Sequence, residues 1–160
     1  MNRFANFLEN ICKIIRLIEI YGCMLLLVEM VIIIFFGLLA RYFSNVQIPW
    51  AAELASYSLA WFTFLGASIA LDRKEHLVIK YFVEQIPFFN YYKKTINILA
   101  FFLEVVCLAI LIYGSFILVV MSNMQLSAAM QIPLSWAYMS ILVGSTFMLM
   151  HILEHRVLAY

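Results

Sequence analysis

The sequence predicts an all-α integral membrane protein: four transmembrane helices with interfacial amphipathic helices, both termini cytoplasmic. Three observations carry that prediction. The chain is 66% hydrophobic and 12% charged, whereas average soluble domains are nearer half apolar and a quarter charged. Its apolar residues gather into four runs, each as long as the roughly 20 residues a helix needs to cross a bilayer. Its Lys and Arg residues fall almost wholly on one side of the topology that those runs define.

The spans read as residues 20–41, 48–71, 95–121 and 132–153 of a single membrane domain, 1–160. The first run is too long for the apolar core of a signal peptide and ends in Ala40-Arg41-Tyr42 rather than at a small-x-small site. It is therefore expected to stay as a span. All three prolines stand in the tripeptide Gln-Ile-Pro, at 47–49, 85–87 and 131–133. Pro49 and Pro133 are expected to open the second and fourth spans, because a first-turn N–H would be unpaired anyway. Pro87 separates a short helical segment from the third span.

Basic residues set the orientation. Arg3, Lys13 and Arg16 precede the first span, Arg73, Lys74, Lys80, Lys93 and Lys94 lie between the second and third, and Arg156 follows the fourth. Only Arg41 falls on the other side, so both termini and the middle segment are expected in the cytoplasm. Two of these segments are amphipathic. Residues 1–19 set Arg3, Asn6, Asn10, Lys13 and Arg16 against Phe4, Leu8, Ile11 and Ile15, and residues 76–86 place His76, Lys80 and Glu84 four apart. Such helices lie in the headgroup plane, facing membrane lipids with their basic residues.

A net charge of +1 gives no reason to expect a nucleic-acid partner. Cys12, Cys23 and Cys107 are widely spaced, so neither a disulfide nor a metal site is expected from them. His151 and His155 are four apart, with no third ligand evident in sequence. No Gly-rich phosphate loop and no Ser/His/Asp arrangement is visible, so neither a catalytic site nor a cofactor is expected.

Glu29 and Glu104 stand in the middle of the first and third runs. An ionisable residue there needs a partner or a function. Each is either a helix-bridging carboxyl group, part of a proton or ion path, or a contact to a second protein. Arg41 closes the first run, and Glu53 sits in the first turns of the second, across a short loop. A local ion pair is expected between them, with a lipid headgroup or a partner as the competing use of Arg41. The second run also carries a stripe of small residues, Ala52, Ser56, Ala60, Thr63, Ala67 and Ala70, at spacings of three and four. Small faces let membrane helices approach closely, within this bundle or against another protein's helix. Tyr57 and Trp61 lie on another face and are candidate interface anchors.

An ordered set of marks resembles a known family. Arg41 closes the first run, Trp50-Ala51-Ala52-Glu53 opens the second, and Gly66-Ala67-Ser68-Ile69-Ala70 ends it. The charged stretch Asp72-Arg73-Lys74-Glu75-His76-Leu77-Val78 follows, and Ile132-Pro133-Leu134-Ser135-Trp136 opens the fourth run. Together these are similar to the small, Q-type membrane subunit of tripartite ATP-independent periplasmic (TRAP) transporters. Glu75 departs from the family, which more often has a small residue there. The resemblance implies a non-catalytic subunit of the bacterial inner membrane, paired with a large TRAP membrane subunit that moves as an elevator. It implies delivery of an organic acid by a periplasmic substrate-binding protein and energy from sodium, with a sialic acid favoured over a C4-dicarboxylate. It also puts Arg41, Trp50, Glu53, Tyr57, Trp61, His76 and Trp136 forward as partner or lipid contacts. The competing class is a self-sufficient four-helix, proton-coupled exporter that uses Glu29 as its exchanging acid.

Overall fold

The computed structural model describes the backbone of residues 2–44, 48–73 and 89–158, and side chains within 8–43, 48–73 and 98–154. The amphipathic helix expected at 76–86, with His76 and Pro87, lies outside those residues. Four α-helices are described, α1 (Asn2–Ser44), α2 (Pro49–Asp72), α3 (Phe89–Met121) and α4 (Ser135–Leu158), with one 3-10 turn, Ser122–Met124, after α3. Each contains a stretch long and apolar enough to cross a membrane: Leu8–Phe43, Pro49–Asp72, Ile98–Met124 and Ser135–Glu154.

Helix α1 has 43 residues, so it is about 65 Å long, twice the hydrocarbon thickness of a bilayer. The junction expected at residue 19 is absent. Neither Gly nor Pro occurs between residues 8 and 19, so the ladder of hydrogen bonds runs on unbroken. Cys12 and Glu19, on the supposed interfacial segment, are fully buried. That part of α1 packs into the bundle.

The recurring Gln-Ile-Pro plays two different parts. Pro49 occupies the first turn of α2 behind an N-cap at Ile48. Pro133 does not open α4. It sits two residues earlier, in an isolated antiparallel bridge to Leu126, with Ser127 N–H donating to the Ile132 carbonyl at 2.8 Å and Leu134 N–H to the Gln125 carbonyl at 2.9 Å. Gln131 enters that turn with φ of 56°. The third and fourth helices are thus joined by a short hydrogen-bonded ribbon rather than by a proline-started helix.

The helices do not close into a symmetric bundle. Helix α2 packs broadly on both α1 and α4, α3 packs on α4, and α1 meets α4 over a smaller surface. The buried face of α2 is Ala51, Ser58, Leu65, Ser68 and Asp72. Four of these are seven residues apart, the repeat that keeps one seam of a helix against its neighbours. Among the described residues, six hydrophobic and twelve polar or charged residues are buried. That inversion is what a bilayer favours: lipid is as apolar as leucine, so apolar side chains gain little from turning inward, while polar ones gain a great deal.

Helices α2 and α4 come closest at Gly144. A Cβ added there would lie 2.7 Å from Phe64 Cβ and 3.0 Å from the Phe64 carbonyl oxygen. Because the obstacle is backbone, Gly144→Ala should destabilise the chain by about 1–3 kcal/mol. Gly66, on α2, has nothing within 4 Å of the same position. Gly66→Ala should be neutral or stabilising, since Ala is the better helix former by about 1 kcal/mol. Thermal unfolding of the two variants in one detergent checks the contrast.

Candidate functional site

Polar side chains gather at two levels. The first is built where α1, α2 and α4 meet. Arg16 and Glu19 lie one turn apart on α1, His151 and Glu154 one turn apart on α4, and Asp72 ends α2. Residues three or four apart share a helix face, which is why α1 and α4 each deliver a pair. The Arg16 guanidinium donates to both oxygens of Asp72, Nε to Oδ2 at 2.7 Å and Nη2 to Oδ1 at 2.7 Å. This two-toothed geometry is specific to Arg and carboxylate. Nη2 also stands 3.8 Å from Glu154 Oε2.

His151 lies at the centre, fully buried. Its Nε2 is 3.1 Å from Glu19 Oε2. Which of the two donates depends on the tautomer of the ring. On the other side of the ring, Nδ1 lies 3.4 Å from Asp72 Oδ1 and 3.8 Å from Glu154 Oε2. Both distances are long for a hydrogen bond, and Nδ1, Glu154 Oε2 and Glu19 Oε1 are buried without a hydrogen-bond partner. The Cys12 thiol, one turn before Arg16, points to the Met150 carbonyl at 3.9 Å.

The second level is at the far end of α2. The ion pair expected between Glu53 and Arg41 does not form. Instead, the Glu53 carboxylate accepts three successive backbone N–H groups of the ribbon between α3 and α4: Ala128 at 3.2 Å, Ala129 at 3.0 Å and Met130 at 2.8 Å. The Tyr57 hydroxyl donates to it at 3.4 Å. Consecutive N–H groups converging on one anion form a nest, and this one takes the charge expected to go to Arg41. Arg41 is exposed and lines an apolar groove with Gly37, Ile48 and Pro49. Glu53 and Asp72 are 19 positions apart on one helix, about 29 Å, close to the roughly 30 Å of a bilayer's hydrocarbon core. The two polar levels are therefore about one membrane thickness apart.

Between them, the Ser58 hydroxyl donates to Glu29 Oε2 at 3.2 Å, bridging α1 and α2. Glu104 is half-buried on α3. Tyr57 and Trp61 are half-buried rather than presented outward, and the Trp61 indole donates to the Trp136 carbonyl at 3.1 Å. Trp50 and Trp136 are the exposed tryptophans, at 48% and 59%. The small-residue stripe faces outward: Ala52, Ser56, Thr63, Ala67 and Ala70 are exposed and Ala60 is half-buried. The bundle uses the opposite, serine-bearing face of α2 instead.

Comparison with known proteins gives the family. The family described as tripartite ATP-independent periplasmic transporters, DctQ component, matches residues 30–159. The chain belongs to that family. It is also similar to a Haemophilus influenzae (strain Rd) protein named as a candidate TRAP transporter small permease protein, with 26% identity over 117 residues, 73% of this chain and 67% of the relative. As a DctQ component the chain is a multi-pass membrane subunit of a transporter.

Sequence reasoning does not find the three-helix cluster. It sends Arg16 to a lipid-facing surface and gives Glu19 and Glu154 no part. A signal is present all the same: two same-face charged pairs, Arg16/Glu19 and His151/Glu154, stand at the edges of apolar runs, where an ionisable residue calls for a partner. What sequence cannot supply is which helices bring the pairs together.

Two tests follow from the geometry. Arg16→Gln removes the guanidinium and leaves Asp72 buried, so it should destabilise the chain; in a double-mutant cycle with Asp72→Asn, the coupling should be on the order of 1–3 kcal/mol. Strict additivity in thermal or denaturant unfolding would show that the two groups do not act together. At the other level, Glu53→Ala strands three N–H groups, at about 1–3 kcal/mol for each that finds no water. It should speed proteolysis between residues 125 and 134, while Arg41→Ala leaves the cleavage rate unchanged. Equal effects of the two substitutions would restore the Arg41–Glu53 pairing.

Proposed function

We propose that this chain is a non-catalytic subunit that stabilises and extends the static scaffold of a large elevator-type membrane subunit. The complex would carry out sodium-coupled uptake of an organic acid delivered by a periplasmic binding protein. The observation that carries the reading is the split of α2 into two small-residue faces. One, with Ser58 and Ser68, is buried within the chain, and the other, Ala52 to Ala70, is exposed along the helix. A face of small side chains suits close approach of another helix, and the chain's own helices leave this one open.

The interior supports a fixed role. The Arg16–Asp72 pair, the Glu53 nest and the Ser58–Glu29 bridge join helices to one another. Glu29 thus has a structural use, which weighs against the exporter reading. The distribution of Lys and Arg favours cytoplasmic termini in the bacterial inner membrane, with the Arg16 cluster toward the cytoplasm and the Glu53 nest toward the periplasm. Trp50, Trp136 and Arg41 are the exposed candidates for partner or lipid contact. His76 shares that role by resemblance alone. Among organic acids, resemblance favours a sialic acid over a C4-dicarboxylate.

Ala67→Leu tests the docking face. The lone chain should keep its thermal stability, and co-purification with the large subunit should fall sharply. Loss of stability in the lone chain would place the stripe in the interior. The purified chain alone in liposomes should take up no solute under a sodium or proton gradient, and robust uptake would overturn the scaffold reading.

A further inference from the structure

The three-helix cluster also brings a thiol, an imidazole and a carboxylate close together, beside the Arg16–Asp72 pair. Cys12 Sγ, a ring nitrogen of His151 and a carboxylate oxygen of Glu154 lie within 4.8 Å of one another, all on buried residues. His151 is 0% exposed, Cys12 0% and Glu154 5%. His151 Nδ1 and Glu154 Oε2 have no hydrogen-bond partner. Buried polar atoms are almost always satisfied, and each exception needs a reason.

We propose that Cys12, His151 and Glu154 form a site for a divalent zinc-like metal ion that joins α1 to α4. The donor set selects the ion. Thiolate with imidazole and carboxylate suits a borderline-soft, tetrahedral cation such as Zn²⁺, while Mg²⁺ and Ca²⁺ take oxygen donors. The ligand atoms of such a site stand roughly 3.3–3.8 Å apart, given bonds of about 2.0–2.3 Å, so closure needs side-chain movements of about 1 Å. The far side of the ring is already arranged for this. His151 Nε2 lies 3.1 Å from Glu19 Oε2, the carboxylate–histidine contact that orients a metal-bound imidazole and raises its basicity. Arg16 is held by both oxygens of Asp72 and stands 3.8 Å from Glu154 Oε2, beyond hydrogen-bond length, so that oxygen can turn to the metal. Binding exchanges the thiol proton for the metal: Cys–SH and M²⁺ give the metal thiolate and a proton released to solvent, with no redox step.

The site differs from the exposed docking face of α2 and does not depend on it. Cys12 lies far in sequence from His151 and Glu154, and spacing singles out His151 with His155 instead.

Cobalt is the probe, because a Co²⁺–thiolate bond gives a strong near-ultraviolet charge-transfer band. The tag-free full chain, purified in detergent under reducing conditions and freed of metal by a chelator, is titrated with Co²⁺. One equivalent should give that band together with tetrahedral visible bands, and Zn²⁺ should bleach both. Cys12→Ser should abolish the charge-transfer band, while Cys23→Ser and Cys107→Ser keep it. Glu154→Gln should keep the band and weaken Co²⁺ binding by about tenfold or more. No charge-transfer band in the wild-type chain, a band that survives Cys12→Ser, or affinity unchanged by Glu154→Gln each overturns the site. Circular dichroism of Cys12→Ser, expected to match wild type, separates a lost ligand from a lost fold.

Discussion

The bidentate pair of Arg16 and Asp72 ties α1 to the end of α2, at the place where both meet α4. In water, apolar faces alone would hold a bundle together. In a bilayer they do not, because lipid offers the same surroundings to a leucine as another helix does. What distinguishes one arrangement from another is where the polar groups go. Arg16 on α1 reaches the end of α2, and the same cluster takes in His151 and Glu154 of α4. At the other end of α2, Glu53 collects three N–H groups from the ribbon that joins α3 to α4. Helix α2 is thereby held at both ends.

The rest of the architecture follows from that anchoring. With α2 fixed between α1 and α4, only its serine-bearing face is needed inside, and its alanine face stays open. Close packing at Gly144 against Phe64 completes the α2–α4 contact. Helix α3 leans on α4 through Leu108, Met148 and Ile152, the buried apolar cluster. Large outward areas of α1 and α3 are apolar and exposed, among them Leu25, Phe36, Leu103 and Tyr113. Those surfaces match a bilayer or a membrane partner and match nothing aqueous.

Much of the fold is legible in the sequence, because hydrophobic run length reports directly on crossing a bilayer. The four helices are in plain view for that reason, and the family through the ordered marks from Arg41 to Trp136. The partners of the charged residues are not. Arg41 and Glu53 are close in sequence, and proximity suggests a pair; the nest at 128–130 competes better for Glu53 because three oriented dipoles converge there, and backbone N–H groups leave no mark in side-chain sequence. Helix α2 has small residues on two sides, and periodicity alone cannot tell which side is inside. Composition hides the continuity of α1 through residue 19. An amphipathic surface reads as interfacial unless its Arg is known to have a buried carboxylate on another helix. Likewise, the Cys12, His151 and Glu154 group joins positions too far apart for any spacing rule.

A scaffold must keep its own helices fixed while its partner moves. The direct measurement is the distance between spin labels on the outer helices, placed at exposed Tyr21 of α1 and Tyr113 of α3, with Cys23 and Cys107 replaced and buried Cys12 left in place. Pulsed electron resonance on the chain reconstituted with the large subunit of the proposed complex would record that distance with sodium and a candidate organic acid present and absent. A fixed scaffold gives one narrow distribution, unchanged across conditions. A shift of the distribution, or a second distance that comes and goes with substrate, would mean that the subunit moves with its partner and is no scaffold.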